Sequence, residues 1–137
     1  MNTELSTRAT ELNAVTTFLN LATDPQANQD THAHSTNPGP LAGLTFAVKD
    51  VIDVAGVPTS MGSNVAVPGT QPAATSAPLV TQLTELGAVA VAKTNCQEFS
   101  HGILGDASAF GRVVNPVDPN LCTCLLYTSP SPRDKRQ

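Results

Sequence analysis

Two short apolar runs, with an irregular Pro- and Gly-rich stretch and then one helix-length segment between them, constrain this chain more than anything else in it. The first is "LTFAVKD", with Leu44 to Val48 as a strand. The second is "AVAVAK", Ala88 to Lys93. Nearly continuous apolar character fits strands covered on both faces. Between them a helix is expected from Ala77 to Leu86: Ser76 can cap it, Pro78 is tolerated in its first turn, and Gly87 ends it. Leu79, Val80, Leu83 and Leu86 would share its buried face. Strand, helix, strand is the parallel crossover unit of an α/β protein. Ligand chemistry in such sheets lies beyond the carboxyl ends of the strands, where Lys49 and Lys93 both fall. The two lysines are therefore expected to approach one cleft.

Around this unit the sequence divides into four parts. Residues 1–24 form an N-terminal helical segment: Leu5, Leu12, Val15, Phe18, Leu19 and Ala22 recur at mostly three- and four-residue spacing, and Asp24-Pro25 closes the run. Residues 25–40 read as a polar linker ending in Asn37-Pro38-Gly39-Pro40. Residues 41–122 hold the crossover unit and the loops around it. Residues 123–137 break with what precedes them, and "CLLYTSPSPRD" resembles the translation of a transposase adapter used to prepare sequencing libraries. We expect this to be a non-native tail, excluded from fold reasoning like a fusion scar, on a longer natural protein cut at about Cys122.

Charge and cysteines narrow the function classes. Residues 1–123 carry 4 basic and 10 acidic groups, a net −6, which argues against a nucleic-acid partner. The start "MNTELSTRATELNAV" has no basic n-region leading into an apolar stretch, and no apolar run is long enough to span a bilayer. A soluble, cytoplasmic protein without a membrane partner is expected. Three cysteines, Cys96, Cys122 and Cys124, do not describe a secreted disulfide framework. His32 and His34 belong to the linker, and nothing puts them near the Cys-Thr-Cys pair, so no metal site is assigned. The glycines of "HGILGDASAFG" lack nucleotide-binding spacing.

Lys49 admits two readings. In one it reaches solvent from the strand end or pairs with Asp50 or Asp53. In the other it is a buried amine kept neutral by desolvation, able to take a proton from a hydroxyl nucleophile. Periodicity favours the first. Lys93 is open to the same two readings, with Glu98 as its expected partner, and Cys96 reads as a small filler of the following loop.

The ordered segments "GPLAGLTFAVKDVIDVAGVPTSMGS", "APLVTQLTELGAVAVAKTNCQEFSHG" and "FGRVVNPVDPN" resemble the amidase signature family, over nearly everything from Gly39 to Asn120. The resemblance implies that residues 41–122 are a partial amidase domain, the N-terminal, incomplete part of an α/β fold with a mixed β-sheet flanked by helices. It also implies that Lys49 is the lysine of a Ser-cisSer-Lys catalytic triad, one of the variants of triad chemistry. The parent would be an amidase hydrolysing carboxamide C–N bonds of a small molecule, with neither metal nor organic cofactor, and a homo-oligomer stays open for it. An alternative within the family is the A-type component of a glutamyl-tRNA(Gln) amidotransferase; from another class, a non-catalytic α/β binding module. After "NPVDPN" the family has a glycine- and serine-rich loop carrying the cis-serine, with the nucleophile further on. Here that point reads "LCTCLLYTSPSP", so this chain carries the base without its partners and is expected to be inactive by itself. Ser129 and Ser131 lie in the tail and do not replace them. Cys96 stands where family members often have Met.

Overall fold

The computed structural model describes residues 3–19, 39–65, 71–102 and 104–123. In chain order these form helix α1 (Thr3–Glu11), strand β1 (Val15–Phe18), strand β2 (Thr45–Lys49), helix α2 (Pro78–Glu85) and strand β3 (Val89–Thr94), followed by a short 3₁₀ turn at Glu98–Ser100. The linker and the tail after Thr123 lie outside the described residues, apart from Gly39 and Pro40.

The crossover unit is present as expected. β2 and β3 are parallel neighbours, and α2 lies between them in sequence. Both strands are shifted toward the C-terminus by one residue from the expected spans. α2 ends at Gly87, whose φ is 99°. Its N–H donates to the Thr84 carbonyl (3.0 Å) and that of Ala88 to the Leu83 carbonyl (3.0 Å), which closes the last turn around a left-handed residue that glycine adopts at low cost. The start of α2 differs from expectation. Ala77 is the N-cap, with no side-chain cap, and the Ser76 hydroxyl oxygen instead accepts from the Ala55 N–H at 3.0 Å. Ser76 therefore ties down the loop after β2, and Pro78 begins the helix with its fixed φ.

The N-terminal segment departs more. Among its described residues only Thr3–Glu11 is helical. Asn13, at φ 51°, ends α1 with the same pattern used at Gly87: Asn13 N–H to Thr10 carbonyl (3.0 Å) and Ala14 N–H to Ala9 carbonyl (2.9 Å). Val15–Phe18, expected in a helix, is a strand paired antiparallel with β3. The run Val-Thr-Thr-Phe is β-branched and aromatic, and the free edge of β3 offers its backbone groups partners. The sheet order is thus β1-β3-β2, mixed, with β3 in the centre.

The core contains Leu19, Val48, Val54, Val80 and Ala90, with Phe46, Ile52, Val57 and Ala77 packed on it. Of the helix residues expected to be buried, Val80 is, while Leu79 and Leu86 are exposed and Leu83 is half-buried. Residues seven apart lie on one flank of a helix, and a three-stranded sheet is too narrow to cover it. β2 is likewise covered on one face, since Thr45 and Ala47 are exposed. The described chain supplies one layer over the sheet, not the two that the apolar run suggests.

Candidate active site

The register of the parallel pair decides where the two lysines go. Val48 lies beside Lys93, and Lys49 beside Thr94. Side chains alternate along each strand and neighbours in register share a face, so the one-residue stagger sends the lysines to opposite faces. The expectation that both line one cleft is therefore overturned.

Lys93 is completely buried. Its Nζ lies 3.0 Å from Asp50 Oδ1 and donates to the Ile52 carbonyl (2.9 Å), Thr59 Oγ1 (2.9 Å) and, at longer range, the Pro58 carbonyl (3.5 Å). Asp50, also buried, accepts from the Thr16 hydroxyl (3.1 Å), the Ser60 hydroxyl and the Ser60 N–H (3.4 Å). A buried ion pair survives when its remaining donors and acceptors are satisfied, and here both partners are saturated. Glu98, the partner expected for Lys93, instead accepts from the Ser63 hydroxyl at 2.7 Å.

Lys49 stands apart from this network. It is half-buried, and its side chain has no hydrogen-bond or ion-pair partner among the described residues. Asp50, the nearest carboxylate in sequence, is committed to Lys93. The backbone beneath Lys49 is pinned: its carbonyl accepts from Ile52 N–H (2.9 Å), Asp50 N–H donates to the Thr94 carbonyl (3.0 Å), and the Asp50 carbonyl accepts from Met61 N–H (2.9 Å).

The loop after β3 sits close by. Cys96 is buried. Desolvation pushes its thiol above its ordinary value of 9.0, with the charge of Lys49 pulling it down, that of Asp50 pushing it up and that of Lys93 pulling it down. At a given pH less of Cys96 is thiolate than in a free cysteine, and the side chain is inert filler as the sequence suggests. Iodoacetamide at pH 8 is expected to alkylate the exposed Cys122 first and Cys96 only after denaturation, as read by peptide mapping. Equal rates in the folded chain would contradict this placement.

Two backbone stretches with positive φ meet at this loop: Met61 and Gly62 (56° and 73°), and Phe99 and Ser100 (51° and 57°). Phe99 N–H donates to the Met61 carbonyl at 2.7 Å. At Gly62 a Cβ would run into the Cys96 carbonyl oxygen, so only glycine allows the two loops this approach. Such conformations concentrate at functional sites. Neither stretch stands out in the sequence as part of a site; "SMGS" does carry a glycine signal, but Phe99 and Ser100 carry none.

Comparison with known proteins gives the family. The sequence profile of the family described as Amidase matches residues 3–124. The A-type component of the glutamyl-tRNA(Gln) amidotransferase of Salinibacter ruber is 36% identical over 119 residues, covering 84% of this chain and 22% of the relative. The chloroplastic outer envelope protein 64 of Arabidopsis thaliana is 40% identical over 82 residues, 60% of this chain and 14% of that protein. A solved structure described as an amidase superposes with a TM-score of 0.62 at 32% identity, covering 85% of this chain and 27% of that one. The chain thus spans about a fifth of the length of the first of these relatives. The name of that relative includes a tRNA, so the acidic balance of so small a share is no ground for excluding nucleic acid, and that expectation is withdrawn. Among the described residues no helix is long and apolar enough to cross a membrane. The chain belongs to the amidase family, and its mixed sheet is part of the amidase signature fold.

Proposed function

We propose that this chain carries the general base of an amidase that hydrolyses carboxamides by a Ser-cisSer-Lys mechanism, and that the base is Lys49. The observation that carries this reading is the isolation of Lys49. It lies at the carboxyl end of a pinned parallel strand, half-buried and with no side-chain partner among the described residues, while its neighbouring carboxylate neutralises a different lysine. A lysine kept for ion pairing would have taken Asp50. In the proposed reaction neutral Lys49 takes the proton of the nucleophilic serine by way of the cis-serine. The serine oxygen bonds to the amide carbon, the C–N bond breaks as the amine leaves with a proton, and water then hydrolyses the acyl-serine ester.

The nucleophile and cis-serine are not among residues 1–123 as the family pattern would place them. The 137-residue chain is therefore expected to show no turnover of simple aliphatic or aromatic amides above a buffer blank. Turnover abolished by Lys49→Ala would refute this. The A-type component of a glutamyl-tRNA(Gln) amidotransferase is the second reading, favoured by the name of the Salinibacter ruber relative. Co-purification of the complete protein with other components of such an enzyme, and release of ammonia from glutamine, would separate it from a free-standing amidase.

A further inference from the structure

We propose that Asp50 and Lys93 are positioning residues for Lys49, forming a buried clamp that fixes the exit of β2 and the 52–61 loop so that the Lys49 amine is held in one place. The inference rests on the reading of Lys49 as the base and goes beyond it by assigning a role to the adjacent network. Asp50 gathers three segments at a single carboxylate: β1 through the Thr16 hydroxyl, β3 through Lys93 Nζ, and the loop through the Ser60 hydroxyl and N–H. Lys93 closes the same loop from below through Ile52, Pro58 and Thr59. Every polar group of residue 50 is thereby used, side chain and backbone alike. The residue before it has little freedom left in its backbone, and its side chain leaves the strand on the face away from the clamp.

The test uses a complete amidase that carries this sequence. Asp50→Glu keeps the charge and the pairing with Lys93 but adds a methylene, so the carboxylate cannot meet Thr16, Lys93 and Ser60 together without moving the strand end. Thr16→Val removes one arm of the clamp while keeping its shape. Both are assayed for kcat and KM on one amide, at a temperature where circular dichroism shows them folded, beside Lys49→Ala. We expect kcat to fall about 100-fold in Asp50→Glu, the cost of a misplacement of about 1 Å, and about tenfold in Thr16→Val, with KM within about twofold of the parent. Parental kcat in both folded variants, with Lys49→Ala inactive, overturns the clamp and leaves the base in place. An active Lys49→Ala removes the base, and the clamp's purpose with it. If Asp50→Glu does not fold, Thr16→Val decides by itself.

Discussion

Lys49→Arg in the complete enzyme is expected to be nearly as damaging as Lys49→Ala, each lowering kcat/KM on a given amide by about 10²–10⁴-fold, the range for loss of a general base. The contrast is chosen because arginine preserves what a structural lysine provides. It keeps the positive charge and an apolar stem, and in place of one ammonium it offers several donors to a carboxylate. It removes the ability to be neutral, because a guanidinium is not deprotonated in proteins. Lys49 has no ion-pair partner among the described residues for an arginine to inherit, so retained activity could not be explained by a preserved pair. Thermal unfolding of both variants excludes loss of structure as the cause. A folded Lys49→Arg enzyme with near-parental kcat/KM would reject the general-base role.

Removing the other lysine should act on stability. Lys93→Ala is expected to cost about 3–5 kcal/mol, because it strands a buried carboxylate and leaves the Ile52 carbonyl and the Thr59 hydroxyl without their donor. Native domains are stable by only about 5–15 kcal/mol in total, so a loss of this size should leave the 137-residue chain without a cooperative unfolding transition. In the complete enzyme it should lower the urea midpoint without changing the slope. Lys49→Ala gives the comparison. The Lys49 side chain makes no hydrogen bond or ion pair among the described residues, and its removal is expected to cost about 1 kcal/mol or less. Two lysines at equivalent strand ends should thus separate cleanly, one by activity and one by stability. A Lys93→Ala chain that unfolds at the parental midpoint would mean that the ion pair is not held as described.

The crossover unit was legible because its punctuation is local. Pro78 and Gly87 bracket α2 within the span of the helix, and two apolar runs of strand length flank it. β1 was not legible for the opposite reason. Val15, Phe18 and Leu19 fit a three- and four-residue repeat as well as they fit a short strand, and what decides between them is β3, seventy-odd residues away. The site was legible by halves. Resemblance to a family singles out Lys49, and an apolar run ending in lysine singles out Lys93, but no periodicity distinguishes the exposed role from the buried one. That distinction comes from a one-residue stagger in register and from a loop that folds back over β3, both long-range facts. A charged residue closing a wholly apolar strand, with an aspartate following the neighbouring strand, is the signal that a search for the buried pair could have used.

The strand order has a consequence for how the protein is made. β3 lies between β1 and β2 yet is the last of the three to be synthesised. Until Val89–Thr94 has left the ribosome, neither earlier strand has a neighbour among these elements to bond, and at about 5–20 residues per second β1 waits several seconds for it. During that interval Phe18, Leu19, Phe46 and Val48 have no sheet to bury them, and Asp50 is an ordinary hydrated carboxylate. Arrival of β3 then delivers the central strand and Lys93 in one event. Translation of a transcript broken before that codon would release a polypeptide with neither sheet nor ion pair, a natural substrate for chaperones and proteases.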